Sequence, residues 1–195
     1  SSSQVEAKEL VFGNDAWTVT STTTPVTDQF VKASNVWKYD PSVVIEIPEK
    51  SEASKIYFQA AVDYVWETYD VPNGCTNKGQ GYVSSYGNND YYSGASAYYG
   101  NVDWRASAAK AQYPAEYDAM SDEDIVAKMQ ERFIECMNAA LTKIHPDAVP
   151  VDGVDVTYTI NYVVYTGARV NWTIQYKVTA PGTFEYVAES MKPIE

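Results

Sequence analysis

Two runs near the C-terminus leave this chain little freedom. Val154, Val156, Tyr158, Ile160, Tyr162 and Val164 place an apolar side chain at every second position. Val170, Trp172, Ile174, Tyr176 and Val178 repeat the pattern after a break at Thr166-Gly167-Ala168. A period of two is that of a β-strand with one buried face. Arg169, Asn171, Thr173, Gln175, Lys177 and Thr179 fill the alternate positions, so the other face is polar. Opposed residues of an antiparallel pair share a face, so two even-numbered sets need a connection with an odd residue count. Thr166 to Ala168 meets that condition and opposes Tyr162 to Trp172 and Ile160 to Ile174. Ala180-Pro181-Gly182 meets it again, opposing Val178 to Phe184 and Tyr176 to Tyr186. The expectation is a three-stranded meander over residues 154–189 with one continuous apolar and aromatic face.

Such a face needs a cover, and the preceding segment supplies one. Ser121 with Asp124 reads as a capping box, and Glu123 adds charge that suits a helix N-terminus. Ile125, Met129, Phe133, Cys136, Met137, Ala140, Leu141 and Ile144 then recur at helical spacing on one side. His145-Pro146 ends the run, because proline disfavours helical geometry in the residue before it. The spacing predicts a helix over 121–144. Over residues 121–189 the arrangement, a helix laid on a curved sheet of long strands, resembles cystatin-like and NTF2-like rolls. That resemblance is architectural and carries no functional residue over.

Further upstream the signals are weaker. Residues 1–10 read as a flexible lead, Trp17 to Thr20 as strand-like, and Val43 to Ile47 as a short strand between Asp40-Pro41 and Pro48. Lys55 to Tyr69 reads as a long strand. Ile56, Phe58, Ala60, Val62, Tyr64 and Trp66 alternate, whereas a helix would set Asp63 and Glu67 beside Ile56. Residues 73–104 change composition, with tyrosines interleaved by Gly, Ser and Asn, as a decorated loop or a pair of irregular strands. Asn101 to Arg105 suits a short strand, and Ala106 to Ala111 a helical turn before Pro114.

Charge and cysteine content narrow the classes of function. A net charge of −12 argues against nucleic acid and anionic membranes, both of which demand clustered Lys and Arg. No stretch is long and apolar enough to span a bilayer. The polar lead Ser1-Ser2-Ser3-Gln4-Val5-Glu6 is similar to the start of a mature bacterial lipoprotein. That similarity implies a lipidated cysteine just upstream and an extracytoplasmic place, periplasmic or at the cell surface. An arbitrary chain boundary accounts for the absent Met equally well. Cys136 is expected in the core and Cys75 in a loop, and their pairing would call for an oxidising compartment. The sequon Asn171-Trp172-Thr173 falls inside a strand and matters only on a eukaryotic secretory route.

Chemistry-bearing motifs are sparse. There is no zinc-spaced Cys/His set, no phosphate-cradling glycine loop between strand and helix, and no G-x-S-x-G, so neither metal nor cofactor is expected. His145 reads as a residue of the helix C-terminus, and a Cys75–His145 pair has no local support. Asp63 and Glu67 would share the polar face of one strand, which reads as a solvated face before it reads as an acid/base pair. Asp152 with Asp155, and Asn88-Asn89-Asp90, lack the spacing of a calcium loop. The strongest candidate is the tyrosine-rich segment. Its 17-tyrosine chain contrasts with only 5 Phe, and Tyr mixed with Gly, Ser and Asn is the chemistry of recognition loops. Aromatic faces beside amides and hydroxyls also suit sugar rings.

The sequence therefore leads to a single α+β domain over residues 1–195, mostly antiparallel sheet with the long helix packed across the C-terminal meander. The expected function is a non-catalytic extracytoplasmic bacterial binding protein that recognises a glycan or protein. Tyr91, Tyr92, Tyr98, Tyr99 and Trp104 are the candidate ligand-binding residues. The alternatives are an enzyme with a carboxylate pair in a helix-on-sheet pocket, and a structural subunit that assembles by strand addition.

Overall fold

The computed structural model describes residues 7–12, 16–21, 27–70 and 91–195, with side chains for 28–69 and 91–195. Cys75, Asn88-Asn89-Asp90 and the first half of the tyrosine-rich segment lie outside these residues. The first four strands are β1 (Ala7–Phe12), β2 (Ala16–Ser21), β3 (Thr27–Ala33) and β4 (Val36–Tyr39). They pair in chain order as an antiparallel sheet. The strand-like stretch at Trp17 is part of β2. The lead expected to run to residue 10 gives way at Ala7, where the apolar run Leu10-Val11-Phe12 pairs Leu10 with Val19 and Phe12 with Trp17. Ser34 and Asn35 join β3 to β4, both at positive φ as a two-residue hairpin turn requires.

Next come β5 (Val43–Ile47), helix α1 (Glu52–Val65) and a π-helical turn over Trp66–Asp70. The long strand expected over Lys55–Tyr69 is thus a helix. Ser51 caps it, its Oγ accepting from the Ser54 amide at 3.0 Å. Ser54, Tyr57, Phe58, Ala61, Val62 and Val65 are buried at i, i+3 and i+4 spacing. The error lay in the choice of reference residue. Ile56 is exposed, so Asp63 and Glu67 beside it mark the solvent side rather than spoil an apolar one.

The second sheet is built on two long strands, β8 (Thr157–Tyr165) and β9 (Arg169–Ala180). Before them run β6 (Ala95–Ser96), β7 (Asn101–Asp103), and helices α2 (Ala106–Gln112), α3 (Pro114–Tyr117) and α4 (Asp122–Ile144). After them come β10 (Thr183–Tyr186) and β11 (Lys192–Pro193). The expected pairings hold: Tyr162 opposes Trp172, Ile160 opposes Ile174, Val178 opposes Phe184 and Tyr176 opposes Tyr186. The register shifts between Thr183 and Phe184, so the second turn is tighter than three residues and an irregularity restores the parity. Two pairings were not legible beforehand. β5 and β7 lie end to end along the free edge of β8, both parallel to it. The sheet is therefore mixed along that edge and antiparallel elsewhere, in an α+β fold.

Helix α4 begins and ends where its signals lie. Ser121 Oγ accepts from the Asp124 amide at 3.1 Å, and the His145 amide closes on Leu141 O at 2.8 Å. Its seven buried residues are Ile125, Met129, Phe133, Cys136, Met137, Ala140 and Leu141. Phe133 stands at the centre, with its ring 5.0 Å from Tyr162 below and 6.5 Å from Phe58 on α1. Burying a side chain of this size contributes about 1.5–3 kcal/mol. Asn138 Nδ2 donates to Phe184 O at 2.8 Å, and the Tyr176 hydroxyl donates to Ile134 O at 2.8 Å, tying helix to meander. Helices α1 and α4 thus cover the even-numbered face of β8 and β9. The odd-numbered face stays open.

Candidate binding site on the open face of the sheet

On the open face, register alone assembles a row. Tyr165 at the end of β8 opposes Arg169 on β9 and Asp103 on β7. The Arg105 guanidinium lies 5.0 Å from the Tyr165 ring centre and that of Arg169 lies 5.7 Å from it, within cation–π range. With Tyr99 and Asn101 these side chains line a cavity of about 260 Å³. A second cavity, of about 390 Å³, shares Arg169 and continues past Glu46, Glu49, Asn161, Val163 and Asn171.

Each charged group here has a specific partner. Asp103 accepts from Arg105 Nη2 at 2.6 Å and from Arg105 Nε at 2.9 Å, and also from the Arg105 amide at 3.1 Å. The fork fixes Arg105 at the start of α2, and Asp103's hydrogen bonds hold its guanidinium charged against the burial that opposes it. Beneath them, the Tyr91 hydroxyl donates to Asp103 Oδ2 at 3.1 Å. Burial, then the Asp103 charge, pushes the Tyr91 phenol up to about 12. Glu49 joins the two cavities, accepting from Arg169 Nε at 2.8 Å and from Asn101 Nδ2 at 2.6 Å. Glu46 accepts from Asn161 Nδ2 at 2.7 Å.

Gly100 holds the Glu49 loop to the β6–β7 hairpin. Its φ is +71°, and a Cβ there would sit 2.6 Å from Lys50 N. Only glycine allows both the left-handed turn and so close an approach. The backbone thus places Glu49 within reach of Asn101.

The five sequence candidates separate by burial. Tyr99 lines the smaller cavity, 36% exposed, and Tyr98 packs edge-on to it at 4.9 Å, 47% exposed. Tyr91 supports the site from below and is 8% exposed. Tyr92 packs toward the helices instead, stacked on Tyr69 at 4.3 Å with the Arg132 guanidinium 3.9 Å over its ring. Trp104 is core. It follows Val102 onto the covered face, its indole N–H donates to Ser93 O at 3.1 Å, and its ring meets Trp172 at 5.1 Å. A ligand cannot reach it at 1% exposure. The sequence reading missed Glu49, Asn101, Asp103, Arg105, Tyr165 and Arg169 as a site. Parity was the available signal, because Tyr165 and Arg169 both fall on the polar side at the two ends of one turn.

Other candidates take structural places. Asp63 and Glu67 do not share a strand face: Asp63 accepts from Gln59 Nε2 at 2.9 Å on α1, and Glu67 is exposed on the π-helical turn. His145 Nε2 lies 2.6 Å from the Tyr57 hydroxyl, and burial lowers the imidazole pKa. Cys136 is buried on the core face of α4. Asp152 pairs with Lys38 at 3.3 Å, and Asp155 pairs with Lys177. Among the described residues no group of three or more His, Cys, Asp or Glu is placed to hold a metal, and no helix is long and apolar enough to cross a membrane. No protein-family model matches the chain, and neither the curated proteins nor the solved structures give a match.

Proposed function

We propose that this is a non-catalytic binding protein, extracytoplasmic and bacterial, that recognises a glycan on the open face of its second sheet. The observation that carries the reading is the Tyr165 row: an aromatic ring with two guanidiniums against it, beside Tyr99, Asn101 and a carboxylate, around one cavity. Rings meet the CH faces of a sugar, and planar donor and acceptor groups meet its hydroxyls. The carboxylates do not favour an acid/base enzyme. Asp103 and Glu49 are each engaged by an arginine, whereas a general acid needs a carboxyl kept apart from such a partner. The test is affinity electrophoresis through gels that contain soluble polysaccharides, which suits a chain of charge −12. Retardation of the wild type in at least one gel, lost in Tyr99→Ala, is expected. Equal mobility of both proteins in every gel would reject the reading.

One observation favours a second reading, assembly by strand addition. Strand β4 ends the first sheet and exposes Val36, Trp37 and Tyr39 at 58%, 41% and 47%. An apolar end strand is a template for pairing. Sedimentation analysis decides it: a concentration-dependent dimer abolished by Trp37→Lys supports assembly, and a monomer at all concentrations removes it.

A further inference from the structure

The two cavities on the open face meet at Arg169, and each of their arginines is paired with a carboxylate before any ligand arrives. Three carboxylates line them, Glu46, Glu49 and Asp103, against two guanidiniums, Arg105 and Arg169. An anionic ligand would therefore face a surplus of carboxylate, in a chain whose net charge of −12 already repels it. A cationic ligand would compete with arginines that are held by hydrogen bonds at 2.6 Å and 2.8 Å. What the site leaves available is neutral hydrogen bonding. Arg169 uses only its Nε on Glu49, and its side chain is 63% exposed, so the end of the fork has no hydrogen bond among the described residues. Asn171 is exposed beside it on β9, and the carboxylate oxygens retain lone pairs for hydroxyl donors.

Size points the same way. Neither cavity alone reaches the upper part of the range usual for ligand pockets, but Arg169 lines both, and Glu49 of the larger accepts from Asn101 of the smaller. The rows Arg169–Tyr165–Asp103, Asn171–Val163 and Thr173–Asn161–Glu46 lie in succession along the strands. A chain of sugars running along this face would meet the aromatic row first and the amide rows after it. We propose that the ligand is an uncharged oligosaccharide that spans both cavities, its chain passing Arg169 at the junction. The proposal rests on the glycan-binding reading above.

The experiment is titration calorimetry with the full chain and two probe sets: neutral oligosaccharides of one to six residues, prepared from a polysaccharide that retards the protein, and oligouronates of the same lengths. Affinity for the neutral series should rise with length and then level off. It should change less than about twofold between low and high salt, since no net charge is neutralised. Asn171→Ala should remove about tenfold from the longer oligomers and leave the monosaccharide unaffected, while Arg169→Gln should weaken both. Binding of oligouronates alone, falling steeply with salt, would overturn the inference while leaving a glycan-binding protein. Equal affinity for a monosaccharide and a hexasaccharide would overturn the spanning geometry. If neither series binds and no gel retards the protein, both the inference and the reading fail.

Discussion

The two faces of β8 and β9 are made by the same backbone and differ only in parity, yet one is packed beneath helices and the other borders cavities. Even-numbered Tyr158, Ile160, Tyr162, Val164, Ile174, Tyr176 and Val178 are all at most 8% exposed beneath α1 and α4. Odd-numbered Asn161, Tyr165, Arg169 and Asn171 stand on the open side with cavities over them. The covered face is held by area and shape, which tolerate no loss of volume. The open face is held by matched pairs of polar groups, which tolerate substitution but lose their arrangement with it. Packing and cavity lining thus fall to alternate residues of two strands.

Substitutions sharpen this contrast by their size. Phe133→Ala should cost the most, about 3–5 kcal/mol in urea unfolding, because Phe58, Tyr162 and Trp104 all pack on that ring and a cavity would remain. Gly100→Ala should cost about 1–3 kcal/mol, since it combines a positive φ with a clash on Lys50. Unlike Phe133→Ala, it should also weaken polysaccharide retardation while the protein is still folded, because it shifts Glu49. If Gly100→Ala left retardation intact, the close approach of Gly100 to the Glu49 loop would have no part in binding.

At the rim of the covered face, His145 provides a pH-dependent check. Its folded pKa lies below the ordinary value of about 6.5 because burial disfavours the imidazolium. The unfolded chain then binds more protons, so this contribution to stability is fully present above about pH 6.5 and is lost as pH falls through the folded value. Urea midpoints should drop between pH 7.5 and 5.5, and His145→Asn should flatten that slope. The smallest effect is expected at Tyr162, whose buried hydroxyl has no hydrogen-bond partner among the described residues. Tyr162→Phe should be neutral or stabilising by up to about 1 kcal/mol, as removing an unpaired buried polar group allows.

What could be read from the sequence follows the same division. The meander, its opposed pairs and α4 were legible because burial imposes a period on neighbouring residues. Helix α1 has such a period too, but alternating Ile56, Phe58, Ala60 and Val62 imitates a strand. The parallel pairing of β5 and β7 leaves no local trace, because it is decided by which elements α1 and α4 bring back to one edge. One part of the candidate cavity was named from the sequence, Tyr99. Its charged half was not, since Glu49, Asp103, Arg105 and Arg169 are brought together from three separate segments and no spacing rule joins them. Trp104 shows the converse: an aromatic in a recognition-like stretch can belong wholly to the core.

The most direct test of the division between faces is amide hydrogen exchange, followed with and without the polysaccharide that retards the protein. Added protection in peptides covering 99–105 and 161–171, with α4 peptides from 125–141 unchanged, is the expected result. Protection confined to the helices, or to β4 at Val36 to Tyr39, would contradict the assignment of recognition to the open face.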